Sequence, residues 1–335
     1  MKKRLIQIGI LFIGIFCILI EIAIAQKSIP DNIAFGNPTQ GGLNGKVIRV
    51  TTLNSEGPGS LREAIETKGP RIVVFEVGGV IDLGKRGLEI REPYITIAGQ
   101  TAPSPGITII RGGFWTDTHD IVMQHIRVRP GDAGEPKKSG WSPDGLTTSG
   151  GNAFNIIIDH CSFTWAVDEN LSASGRRTEG PDSTSHRITF SNNIIAEALH
   201  NSSHEKGPHS MGSLIHDFCR DIAIVGNLYA HNDMRNPYFK AYSEGAIINN
   251  IIYNPGKVAI QLYYSRNEWI NSRYEPENCK VSIVGNILFA GVDTRKNIAL
   301  VAAMGDAYME DNQAFDLEGK PIPLTSGKIN RVWLL

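Results

Sequence analysis

One short pattern returns throughout this chain: a few β-branched or apolar residues, a tight polar turn, then a second apolar run. It occurs from residue 94 to 100, 120 to 126, 155 to 163, 187 to 195, 221 to 229, 244 to 253 and 280 to 289. The seventh position of each copy falls at 100, 126, 161, 193, 227, 250 and 286, so successive copies lie 26, 35, 32, 34, 23 and 36 residues apart. Such a period with variable spacers marks a solenoid. No copy contains the helix that a βαβ crossover needs. Stacked coil on coil, the units predict an all-β, right-handed parallel β-helix whose core is a column of like side chains. Asn193, Asn227, Asn250 and Asn286 share the seventh position. An inward Asn at a bend can pass hydrogen bonds to the coils above and below, satisfying turn backbone that would otherwise be buried unpaired. Ordinary turn preference explains one or two such residues but not four in register. A β-propeller is the competing repeat fold, but its blades hold four strands in about 40 to 45 residues, and these units are shorter and irregular. The 35 glycines and 17 prolines agree with a turn-rich β protein. One short helix is expected after the strand from Lys46 to Val50, with Ser60 as N-cap and Glu63 at the capping-box position. Strands follow from Arg71 to Val77 and from Leu88 to Ile90.

The start of the chain bears on where it works. Met1-Lys2-Lys3-Arg4 is basic, Leu5 to Ile20 is apolar, and Ala23-Ile24-Ala25 precedes Gln26. Residues 1–25 therefore read as a cleaved export signal, leaving 26–335 as a single β-helix domain, secreted or periplasmic. A membrane anchor is the competitor for a run of this length; Glu21 and the small-x-small site weigh against it, and Cys17 follows Phe16 rather than the small residue of a lipoprotein site. Cleavage removes three basic residues and one acid, taking the formal net charge from −1 to −3. Nothing here suggests a nucleic-acid surface or membrane attachment after cleavage, and a monomer is expected. Cys161, Cys219 and Cys279 remain, an odd number that cannot be a full disulfide framework. Cys161 reads as a small buried residue; a bridge between Cys219 and Cys279 depends on geometry.

Because the coils are regular, function belongs on the loops, which emerge at the same corners and build one lateral surface. Three segments bring unusual chemistry there. The stretch NIIIDHCSFTWAVDENLS, residues 155–172, is a strand that hands into Asp168-Glu169-Asn170, carboxylates at a fixed point on a rigid scaffold, as hard cations are held. A long insertion before it carries Asp132 and Asp144. After it, Arg235 and Lys240 come together in HNDMRNPYFK, preceded by His204, Lys206 and His209. No closely spaced ligand set supports a zinc site, and Trp165 reads as packing at the coil's edge.

IIIDHCSFTWAVDE, preceded by SPDGLTTSGGNAF and followed two coils later by a strand and RNPYFK, resembles the pectate lyases of polysaccharide lyase family 1. The opening AFG…GGLNGKVIRVTTLNSEGPGSLREAI, with ITIAGQTAPSPGI and DENLS, resembles the bacterial branch of that family. The resemblance runs from about Ile33 to the end of the chain. It implies a parallel β-helix, Ca²⁺, and β-elimination of an acidic polysaccharide, polygalacturonate. Asp144 matches the acid of the coil before the IDH strand, and Asp168 the first of two calcium-holding acids. Where the family often has the second, four residues on, this chain has Ser172, so Glu169 or Asn170 is left to complete the set. Arg235 matches the catalytic arginine in its R-x-P setting. Lys240 stands where a second substrate-binding arginine is usual, Lys206 matches the substrate-binding lysine, and His209 is grouped with them. Asp159 and His160 read as structural.

The chemistry raises one objection, since an arginine is protonated at ordinary pH and a base must be free of its proton. A neighbouring cation, Ca²⁺ and alkaline conditions would lower its pKa; otherwise Lys206 is the base and Arg235 an electrostatic clamp. The reading from another class is an exported β-helix that binds carbohydrate or adheres without catalysis, which fold alone does not separate. The last residues, Ile329 to Leu335, are apolar with no closing polar cap, from which a truncated or a divergent copy of the family is expected.

Overall fold

The computed structural model describes residues 39–327 and 330–331; the export signal and the terminal cap question lie outside them. The chain winds through three parallel sheets of eleven, nine and nine strands among the described residues, visiting each sheet once per coil. One full turn runs Ile121–Gln124, Ile126–Arg129 and Leu146–Ser149, and the next begins at Phe154–Asp159, paired in parallel with Ile121–Gln124. The architecture is the right-handed parallel β-helix that the repeat predicts.

Alternation along each strand sends every second side chain inward, and register stacks them. Ile97, Met123, Ile158, Phe190, Ile224, Ile247 and Ile283 pair rung to rung as one column of the first sheet. All seven are buried, and each such side chain contributes about 1.5–3 kcal/mol on leaving water.

The seventh-position residues form a ladder at the corner between the first and second sheets. The backbone N–H of Cys161, Asn193, Asn227, Asn250 and Asn286 each donates to the side-chain oxygen of the Asn one coil on, at 2.8–3.0 Å. The ladder runs one coil further than the repeat suggested, to Asn312, whose amide donates back to the Ile283 carbonyl at 2.7 Å. The residue before each rung lies in the left-handed region, as at Asn192, Gly226, Asn249 and Gly285, which turns the chain sharply enough to present the Asn inward.

The helix spans Leu61–Glu66. Ser60 caps it by accepting from the Glu63 N–H at 3.2 Å, but the Glu63 carboxylate reaches past Ser60 to the Gly59 N–H at 2.6 Å. The strand expected to reach Val77 ends at Phe75. Cys161, Cys219 and Cys279 are all buried free thiols, so no Cys219–Cys279 bridge forms. Asp159 is buried and accepts from Gln124, Ser191 and Asn192 at 2.8–3.0 Å, with His160 at 2.7 Å, a structural knot at a coil corner.

The third sheet positions the groove described next. Its outward column runs Trp115, Thr147, Ser172, Leu214, Tyr238 and Gln261 in successive coils. Loops entering its strands form one wall and loops leaving them form the other.

Candidate active site

The entering wall is acidic. Asp144 stands two residues before the strand Leu146–Ser149, and Glu169 two before Leu171–Ser174; since Leu146 pairs with Leu171, the two acids stack one coil apart. The Glu169 N–H donates to the Asp144 carboxylate at 3.0 Å, and the Thr147 hydroxyl donates to its other oxygen. Asp168 completes the group, and the three carboxylates offer oxygens within 4.8 Å of one another. Such crowding splits their acidities. Burial, and then the charge of Asp168, push Asp144 up to about 7. For Asp168 burial works the same way but is outweighed by the His209 hydrogen bond and the charges of His209, His204 and Arg235, so it is held below the usual carboxylate range.

Asn170 fixes the turn that carries these acids. Its side-chain oxygen accepts from the Ala166 N–H at 3.2 Å, and its amide donates to the Ala196 carbonyl at 3.0 Å and to Asn232 at 3.3 Å. Fully buried and so engaged, Asn170 faces the coil's interior; of the two residues that could stand in for an acid at 172, Glu169 is the one beside Asp144 and Asp168. Ser172 lines the groove and accepts from the Leu214 N–H at 3.1 Å.

Arg235 is two coils on from Glu169, through the aligned bridges Glu169 to Met211 and Met211 to Met234. Its backbone is left-handed, φ 62°, a conformation that costs a non-glycine residue about 1 kcal/mol or more. The following Asn236 anchors that turn, accepting from Asn232 and donating to the Val258 carbonyl, each at 3.0 Å. The guanidinium pairs with Glu169 and lies 5.9 Å over the Tyr238 ring. Burial lowers its pKa, against the raising effect of Asp168, Tyr238 and Asp144.

Behind the acids lie two buried histidines with rings stacked 3.8 Å apart. His209 Nε2 is 2.7 Å from one Asp168 oxygen and His204 Nε2 is 3.6 Å from the other. The Lys206 N–H donates to His204 Nδ1 at 3.1 Å, so neutral His204 carries its proton on Nε2, facing Asp168. The pair with Asp168 has the residue types of a metal site, but a ligating Nε2 would force the proton onto Nδ1, against that N–H. His209, grouped by sequence with the substrate contacts, thus lies behind Asp168 rather than along the open groove. The insertion from 130 to 145 is clamped on this segment, Gly140 N–H donating to Ser203 and Ser203 to the Trp141 carbonyl, at 2.9 and 2.5 Å.

Lys206 is exposed on the groove's rim and Lys240 is buried at its floor. The structure therefore brings Asp144, Asp168, Glu169, Arg235, Lys206 and Lys240 into one groove. Trp165 is outside it, exposed, with its Nε1 donating to Glu197 at 3.0 Å.

Of the leaving wall, only Lys240 was read from the sequence. Lys240 Nζ pairs with Glu268 and lies 3.4 Å from buried Asp217; Arg177 is 2.9 Å from Glu268 and 3.6 Å from Asp217. Tyr238 could have been found, since it opens the short strand Tyr238–Phe239 two residues before Lys240 and so shares its face. Arg177, Asp217 and Glu268 come from non-repeating loops and leave no such signal.

No protein-family model matches the chain. The probable pectate lyase C of Aspergillus flavus is 34% identical over 277 residues, covering 82% of this chain and 57% of that protein. The probable pectate lyase C of Aspergillus fumigatus is 37% identical over 318 residues, 93% of this chain and 67% of its own. The chain thus spans little more than half of the first relative and two thirds of the second. Among solved structures, Jun a 1, the major allergen from cedar pollen, superimposes with a TM-score of 0.60 at 17% identity, covering 88% of this chain and 85% of that one. A Bacillus subtilis pectate lyase gives 0.57 at 14% identity, covering 90% and 89%. These two share the fold. With the fungal identities spread over most of its length, the chain belongs to the pectate lyase family.

Proposed function

We propose that this chain is an exported pectate lyase that cleaves polygalacturonate by calcium-assisted β-elimination. The observation carrying the reading is one wall of the groove, on which three carboxylates stand with Arg235 as the one arginine among them. Three negative charges and one positive leave the wall short by two, and an all-oxygen set suits a hard divalent cation. Asp144, Asp168 and Glu169 would hold calcium, which when bound supplies charge neutralisation beside the substrate's carboxylate.

Arg235 takes the proton from carbon five of a galacturonate. The electrons of that C–H bond form the double bond between carbons four and five, and the bond from carbon four to the glycosidic oxygen breaks with its electron pair going to that oxygen, which takes a proton from water. Burial moves Arg235 in the direction a base requires. Lys206 and Lys240 bind carboxylates of neighbouring sugars, and His209 holds Asp168 in place. Export rests on residues 1–25 and the bacterial placement on the opening motifs and DENLS, whereas the two curated relatives described above are fungal. No helix among the described residues is long and apolar enough to cross a membrane. A monomer acting alone is part of the same reading.

The test is ultraviolet absorbance of the unsaturated product from polygalacturonate at alkaline pH, with calcium or with chelator, for wild type and Arg235→Ala. A calcium-dependent rise that the substitution removes is expected. Folded wild-type protein that gives no rise with calcium would falsify the lyase and leave the carbohydrate-binding scaffold.

A further inference from the structure

Lys240 and Arg177 lie on the wall opposite the acids, and their two counterions differ in kind. Asp217 is fully buried; its Oδ1 accepts from the Ala241 N–H at 3.1 Å, its Oδ2 is 2.8 Å from His216, and Lys240 and Arg177 approach that same oxygen. It is a fixed part of the wall. Glu268 arrives instead from a four-residue turn, Arg266–Trp269, in the segment between the strands Ile260–Leu262 and Lys280–Val284. Its side chain is 36% exposed, and its carboxylate pairs with both cations. Trp269 next to it is buried, with its ring 5.7 Å from both Phe218 and Tyr242, so the turn stays in place whichever way the Glu268 side chain points. Two cations and two acids balance; without Glu268, one positive charge at the groove's floor has no partner.

We propose that Lys240 and Arg177 form a carboxylate subsite for the bound polymer, occupied in the ligand-free protein by Glu268, which a uronate carboxylate displaces. The proposal rests on the polyuronate reading above and deepens it, giving the groove an anchoring point that needs no metal and assigning Arg177 to it. A carboxylate of the polymer meets the same two cations that Glu268 meets, and exchange requires only rotation of one side chain toward solvent. Because the subsite is filled by its own chain, the apparent affinity is reduced by the fraction of time it stands free.

The experiment is calorimetric titration with trigalacturonate in chelator, where no metal contributes. Glu268→Gln is expected to bind about fivefold tighter than wild type, as befits release of a partly exposed ion pair. Adding Arg177→Ala should remove the gain, and a fully methyl-esterified trimer should show none. Circular dichroism checks that each variant folds, and Glu268→Ala serves if Glu268→Gln does not. Unchanged or weaker binding overturns the subsite, as does an equal gain for the ester, which would mean that the side chain merely fills space. Turnover of polygalacturonate with calcium is followed separately. Tighter binding without wild-type turnover keeps the subsite and sinks the lyase; turnover with unchanged trimer binding does the reverse.

Discussion

On one wall of the groove Asp144, Asp168 and Glu169 crowd together with Arg235 as the cation among them; on the other, Lys240 and Arg177 meet Asp217 and Glu268 one for one. Both walls hang from the same strands, one on turns entering and one on turns leaving. The acidic wall is short of positive charge even with Arg235, and the crowding shows in Asp144, pushed up to about 7 while Asp168 is held low. The basic wall is complete, so what it needs from a ligand is exchange rather than addition. A polyanion with a divalent cation satisfies both demands at once, the cation on one wall and a free carboxylate on the other.

The largest expected effect is on the acidic wall. Arg235→Ala should lower turnover by about 10²–10⁴-fold, the range for a positioned acid or base, while calorimetry shows calcium binding retained, because the substitution frees Glu169. Loss of calcium binding as well would mean that the Arg235–Glu169 pair holds the wall together, and the contrast between walls would fail there. On the basic wall the matching change acts on stability. Lys240→Met leaves buried Asp217 without its lysine, and breaking a buried pair from one side costs about 3 kcal/mol. A urea midpoint equal to wild type would show that the Ala241 N–H, His216 and Arg177 hold Asp217 without the lysine.

What the sequence could disclose follows from how each feature is built. The β-helix was legible because an Asn ladder demands the same residue at the same corner of successive coils, and Asn193, Asn227, Asn250 and Asn286 meet that demand. The acidic wall was legible because Asp168 and Glu169 follow the strand Ser162–Thr164 after a short turn and Asp144 stands in the SPDGLTTS motif of the preceding coil. Packing decided the rest. Burial of His209 behind Asp168 depends on an insertion from another coil folding over it, and Asn170 differs from Glu169 only in which way its side chain faces. The Arg177–Glu268 pair joins residues 91 apart through loops with no period, so no pattern along the chain announces it.

Asp144→Asn sharpens the contrast in stability. The Asp144 pKa rises from 3.8 to about 7 on folding, so between those values the folded protein holds the proton more tightly than the unfolded chain. The metal-free protein therefore loses stability as pH rises through that window. Asp168, shifted down, works the opposite way: its contribution is present above its unfolded pKa and is lost as pH falls through the folded one. Asp144→Asn should stabilise the metal-free protein at pH 8 by a few kcal/mol, because the amide carries no charge to be desolvated beside Asp168. It should also abolish the calcium-induced rise in Tm. In wild type that rise should be larger at pH 8 than at pH 5.5, where the proton competes with the cation for Asp144. A calcium shift independent of pH would place the cation away from Asp144.

The smallest effect expected belongs to the histidines. His209 touches Asp168 at 2.7 Å and neither Asp144 nor Glu169 lies among its hydrogen-bond partners, so it acts on the wall by orienting one carboxylate and, more weakly, by its charge on Asp168 and Asp144. Removing a residue that orients a metal-holding group costs 10–100-fold in affinity, and about tenfold is expected for His209→Ala, since His204 still offers its Nε2–H to the same carboxylate. His209→Gln, whose amide can donate to Asp168, should recover part of that loss, whereas a residue acting only as filler would be replaced equally well by Leu. Trigalacturonate affinity in chelator should stay unchanged in all three variants, because the histidines serve the wall proposed to hold the cation. A fall there would return His209 to the substrate contacts, where sequence alone had grouped it.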